Sequence, residues 1–149
     1  MIVDDNELRQ AIAVMETYKE RVEALSRQVQ LLRVSLDEVG MASAALKAFK
    51  DAKEGDEILV PVGASTFIPV QVTGNRKVIV GIGSNISIEK DATESVEYMD
   101  ANGTEINEAL KKSVEALNEA QNALATVSAT VQQEYANRQQ AAAGQQRMQ

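Results

Sequence analysis

EILVPVGASTFIPVQVTGNRKVIVGIGSNISIEK, residues 57–90, decides the fold. β-branched residues crowd it, glycines punctuate it, and both of the chain's prolines, Pro61 and Pro69, lie inside it. That is the chemistry of strands and tight turns. The pattern predicts four short strands, Glu57–Val62, Thr66–Val72, Lys77–Ile82 and Asn85–Lys90. Gly63-Ala64-Ser65 makes the first turn, Gly83-Ser84 or its neighbours the second, and Thr73-Gly74-Asn75-Arg76 the connection. Two successive hairpins result, with the prolines tolerable only at edges or where no ladder bond is donated. Independent stability usually takes three or more strands with a shared apolar face. These hairpins are therefore expected to pair with strands of other chains and to bury Ile58, Val60, Phe67, Ile68, Val78, Val80, Ile86 and Ile88 in doing so.

On the N-terminal side, residues 1–55 contain no proline and only Gly40 and Gly55, so a helix can run from about Asp4 to Lys53 and stop at Gly55. Its apolar residues fall on a heptad. Leu8, Met15, Val22, Val29 and Leu36 fill one position, which breaks at Ser43; Ala11, Tyr18, Leu25, Leu32, Val39 and Leu46 fill the other. This is the seam of a coiled coil. Residues 91–138 return to such a seam through Val96, Met99, Gly103, Ile106, Leu110, Leu117, Ala120, Leu124, Val127 and Val131. Ser113 and Glu134 interrupt it, with Val114 and Tyr135 as neighbouring substitutes, and Asn102-Gly103 is a soft spot where a kink or fraying is expected. Residues 139–149 lack a face to bury and read as a disordered tail. The two helical segments are nearly equal, about 70 Å each at the rise of an α-helix. The fold class is α+β: a long antiparallel coiled-coil hairpin with two β-hairpins inserted between its helices.

Composition narrows the function. The chain has 149 residues with no Trp, Cys or His and only 3% aromatic residues, too few for a thick globular core. Without His or Cys the commonest general base, thiolate nucleophile and zinc ligands are missing, so an enzyme is not expected, nor a cofactor or metal. Gly81-Ile82-Gly83 is followed by a strand and not a helix, which favours a turn over a dinucleotide loop. Acidic pairs such as Asp4-Asp5 and Asp37-Glu38 point to different helix faces and form a solvated surface. A net charge of −7 disfavours nucleic acid. No apolar run is long enough to cross a bilayer, and the start Met1-Ile2-Val3-Asp4-Asp5 is not that of a signal peptide, so a cytoplasmic location is expected.

Helix, two hairpins and helix, with Val60-Pro61-Val62-Gly63-Ala64-Ser65-Thr66-Phe67 in one hairpin and Val78-Ile79-Val80-Gly81-Ile82-Gly83 followed by Ile88-Glu89-Lys90 in the other, resembles the alpha subunit class of archaeal prefoldin over nearly the whole chain. Having two hairpins distinguishes it from the beta class. The resemblance implies a hexamer of two alpha and four beta subunits, joined through the hairpins into an intersubunit β-barrel platform. It also implies an ATP-independent chaperone that holds unfolded protein clients at the coiled-coil tips and delivers them to a group II chaperonin. The partners would be prefoldin beta subunits, a second alpha subunit, clients and the chaperonin, with no nucleic acid and no membrane.

At the tip the candidate client contacts are Ile2, Val3, Leu8, Ile12 and Met15 from the first helix, with Val127, Val131 and Tyr135 from the last. Leu8, Met15, Val127 and Val131 lie in heptad register and are first of all seam residues. Ile2, Val3 and Ile12 lie off it and are the stronger candidates. The rival reading is a coiled-coil scaffold that recognises one folded partner through a specific helical face.

Overall fold

A computed structural model describes residues 4–149. The order of elements is α1 (Asp5–Asp51), β1 (Glu57–Gly63), β2 (Thr66–Gln71), β3 (Lys77–Gly83), β4 (Ile86–Asp91) and α2 (Ala92–Arg147). The described residues up to Gln30 form one compact unit with Lys111–Gln149; Leu31–Leu110 form a second.

In the first unit α1 opens on a reciprocal cap. The Glu7 amide donates to Asp4 Oδ1 at 2.8 Å, and the Asp4 amide donates to Glu7 Oε2 at 3.3 Å, so two otherwise orphaned donors are satisfied. Of the heptad positions, Leu8 and Val29 are buried and Ala11, Met15, Tyr18, Val22 and Leu25 half-buried, while most of the residues between them are exposed. On α2 the buried positions are Ser113, Ala120, Val131 and Glu134. Arg138 Nη1 meets Asp5 Oδ1 at 2.6 Å across the seam. The seam therefore does not detour at Ser113 and Glu134 as expected. It keeps its register and accepts polar residues, while Tyr135 is left 50% exposed. α2 also runs on as helix to Arg147, past the point where a disordered tail was expected. Every residue from Gln139 is exposed, so the extension owes nothing to packing; Ala and Gln are good helix formers and carry the helix on.

In the second unit α1 and α2 again run antiparallel, with Ser43 beside Asp100 and Val39 beside Gly103. Leu32, Leu36, Val39 and Leu46 are half-buried and Val96 is buried, as the heptads require. α2 is continuous helix through Asn102-Gly103, so the chain does not fray there. Gly103 there lies under Val39, whose Cγ1 would stand 3.6 Å from an added Cβ.

The hairpins form separate two-stranded antiparallel sheets, β1 with β2 and β3 with β4. Their registers are the same design repeated twenty residues on. Pro61 opposes Phe67 and Gly63 opposes Thr66; Gly81 opposes Ser87 and Gly83 opposes Ile86. Each ladder has its irregularity at the same place, between Pro61 and Gly63 and between Gly81 and Gly83. The turn residues Ala64 and Ser65, and Ser84 and Asn85, all have positive φ, as the tight turns between right-twisted strands require. The glycines before them, Gly63 and Gly83, reach φ of 101° and 108°, where a β-carbon would be strained.

Candidate interaction surfaces

Within the second unit, the antiparallel register sorts the hairpin side chains. In the first hairpin Ile58, Val60, Ile68 and Val70 share one face, and Leu59, Pro61, Phe67 and Pro69 the other. In the second, Val78, Val80 and Ile88 share a face, while Ile79 shares the other with Gly81, Ser87 and Glu89. Val80 is only 2% exposed and Val78 and Ile88 are half-buried, so this face is already packed within the chain. Ile58, Val60 and Val70 line an open apolar pocket of about 330 Å³, whose other wall includes Ala45, Leu46 and Phe49 of α1.

Of the residues expected to bury on assembly, Phe67, Ile68 and Ile86 are exposed, Ile58, Val60, Val78 and Ile88 half-buried, and Val80 buried. Two residues not singled out are the most exposed large hydrophobics of the hairpins, Ile79 at 74% and Leu59 at 60%. Their signal was present. β1 and β3 are apolar on both faces, the pattern of a strand covered from two sides, whereas period-2 reasoning looks for one.

Arg76, in the connection between the hairpins, ties the sheets to α1. Its Nη2 donates to the carbonyls of Phe49, Lys50 and Ala52 at 3.0, 3.1 and 2.6 Å. These are carbonyls of the last turn, which have no partner inside the helix and carry the negative end of its dipole. The guanidinium carbon lies 4.7 Å from the centre of the Phe49 ring. Nη1 is buried without a hydrogen-bond partner, and stacking on the ring is the compensation on offer there. Nearby, Lys77 Nζ contacts Asp91 Oδ1 at 2.8 Å across the second hairpin, which raises the lysine above its ordinary value. Ser43, the break in the first heptad, is a buried donor: its hydroxyl gives a 2.7 Å hydrogen bond to Asp100. That bond, with the nearby Lys47 ammonium, holds the Asp100 carboxyl below the usual range.

In the first unit, the candidate client contacts divide. Ile2 and Val3 lie outside the described residues. Leu8 and Val131 are buried, Ile12, Met15 and Val127 are half-buried, and Tyr135 is exposed. Beside Leu8 and Val131 lies an ionic layer that the sequence did not announce. The Glu134 side chain, 3% exposed, accepts from Arg138 Nε at 3.0 Å, and Arg138 reaches on to Asp5. Arg138 holds the Asp5 carboxyl below its ordinary value, and the two acids raise the arginine. A carboxylate buried in a seam is costly unless paired, and Arg138 supplies that pairing while reaching across to α1.

Among the described residues no group of acidic side chains is placed to hold a metal ion, and no helix is long and apolar enough to cross a membrane. The family model described as "Prefoldin subunit" matches residues 18–137. The chain belongs to the prefoldin family. Among its prefoldin relatives, the alpha subunit of Methanothrix thermoacetophila is 33% identical over 108 residues, 72% of this chain and 71% of the relative. That of Archaeoglobus fulgidus is 27% identical over 136 residues, 91% and 96% of the two chains. A filamentous prefoldin from Methanocaldococcus jannaschii, solved by cryo-electron microscopy, is 30% identical, with 89% of this chain and 98% of that one covered and a TM-score of 0.36.

Proposed function

We propose that this prefoldin subunit is an ATP-independent holdase: it assembles through its hairpins, captures unfolded polypeptides with the ends of its coiled coil, and passes them to a group II chaperonin. The observation that carries the reading is the exposure of Leu59, Phe67, Ile68, Ile79 and Ile86 on two small, separate sheets that the described residues cover only in part, in a member of this family. Such strands call for partners. A barrel formed with beta-type subunits and a second copy, in a hexamer of two alpha and four beta chains, would supply them.

Capture is assigned to the end of the seam near Leu8 and Val131, with Ile2, Val3, Ile12, Met15 and Tyr135 around it. An unfolded client offers apolar segments in no fixed arrangement, and several weak contacts on one assembly multiply into useful avidity. Met15 suits such a surface because its side chain adapts.

Deleting the residues before Leu8 and after Val131 tests it. The assembly should keep its mass, while its suppression of aggregation by a denatured client enzyme falls. Undiminished protection by the truncated assembly would show that the helix ends are not the holding site.

A further inference from the structure

The far end of the first unit is closed where holding asks for open surface. Leu8 and Val131 are 8% and 5% exposed, so neither can touch another chain while the two helices lie together. Outside them stands Arg138. Among the described residues of this unit, every side-chain hydrogen bond and ion pair from one helix to the other runs through it. Asp5, its partner across the seam, is the first residue of α1, and every residue of α2 from Gln139 onward is exposed. Among the described residues the bridge is therefore the outermost tie between the helices.

The two carboxylates held by Arg138 act differently. The Asp5 side chain is 79% exposed, so its bond to Arg138 is a surface pair. Such a pair shifts an equilibrium by no more than about fivefold, and salt screens it. Glu134 is buried at 3% exposure and lies between Val131 and Arg138 on one face of α2. Its bond to Arg138 stays within α2 and so survives when the helices part, whereas closing them takes its charge out of water. Arg138 makes that burial tolerable, since a carboxylate in such a place without a partner carries a large penalty. One guanidinium thus ties the helices together and allows the buried acid to stay between them.

We propose that Arg138 is an electrostatic latch on the holding surface: bridged to Asp5 and Glu134 it keeps Leu8 and Val131 covered, and its release uncovers them for an unfolded chain. The inference rests on the assignment of capture to this end and adds what controls access to it. Apolar contacts are not weakened by screening, whereas this tie is.

The chain has no cysteine, so Val131→Cys gives it a single thiol that reacts only when the helices part. In the assembled complex, its reaction with N-ethylmaleimide is followed by the mass of this subunit. It should be slow, and should quicken about threefold as salt rises from about 0.05 to about 0.5 M. Asp5→Asn should react about threefold faster at low salt and no longer respond to salt. Arg138→Gln, which also strips Glu134 of its partner, should be more than about tenfold faster. Adding Glu134→Gln to it should slow the reaction again, a non-additivity that a general loosening of the helices would not give. Protection of a denatured client enzyme from aggregation should rise with the rate of labelling. Asp5 is exposed enough for its substitution to leave folding intact, which unchanged helical circular dichroism checks. A thiol that reacts no faster in Asp5→Asn and Arg138→Gln overturns the proposal. So does a faster thiol with unchanged or weaker protection of the client. The truncated assembly then decides how far the failure reaches. If removing the helix ends still lowers protection, only the latch has failed; if it does not, the assignment of capture to this end has failed as well.

Discussion

Arg76 belongs to the connection between the hairpins, yet its bonds are made to α1, from 24 to 27 residues away in the chain. No local pattern marks a residue for such a role, and by sequence it was only part of a linker. Hydrogen bonds from a charged donor are worth about 1.5–3 kcal/mol, so Arg76→Ala should lower the unfolding free energy by about 2 kcal/mol in urea titrations. Arg76→Lys should recover only part of that, because an ammonium cannot both fork across several carbonyls and lie flat on Phe49. Asp100 makes a pH-dependent counterpart. Unfolded, its carboxyl titrates at its ordinary value of 3.8; folded, the Ser43 hydroxyl and then Lys47 hold it lower. Its contribution to stability is therefore complete above the ordinary value and is lost as pH falls through the folded one. Asp100→Asn should be less stable than wild type at neutral pH, and the gap should close on acidification; Ser43→Ala should remove most of the pH-dependent part. A gap that widens in acid would reverse the assignment.

At the scale of elements, the helices and strands were legible because periodicity reports burial directly. The heptad positions of α1 that were named from the pattern are all buried or half-buried in the structure, Ser43 included. What periodicity misread was polarity. Ser43, Ser113 and Glu134 looked like gaps because a seam was taken to be apolar, whereas each occupies its seam position and at least Ser43 and Glu134 are satisfied there. Gly103 was misread for a related reason. A helical glycine costs about 1 kcal/mol relative to Ala, which suggested weakness, yet the helix continues through it. Because a Cβ there would only touch Val39 at an ordinary distance, Gly103→Ala should stabilise the chain by about 0.5–1 kcal/mol and raise its melting temperature. A lowered melting temperature would mean that the close approach of the helices depends on the missing side chain.

For the whole molecule, the architecture and family were readable because a β-rich insert between matched heptad segments is an unusual arrangement, and the missing His and Cys had already removed most catalytic chemistry. Surfaces were less readable. Which apolar residues stay exposed depends on how the sheets lie against α1, and so Val80 was named where Ile79 and Leu59 are the open side chains.

The long-range side-chain bonds also set an order in time. Lys77 and Asp91 close a separation of 14 residues, Ser43 and Asp100 one of 57, and Asp5 and Arg138 one of 133. Hairpins this local form within microseconds, long before distant segments meet. Once Ser43 has found Asp100, the remaining turns of α1 and α2 can be added in sequence without closing another large loop. Opening should run the other way. Amide hydrogens of α2 around Val131–Arg138 should then exchange faster than those around Val96–Ile106, and equal protection along the helix would mean a single all-or-none transition. On this schedule the last part of the chain to fold is the part proposed to hold chains that have not.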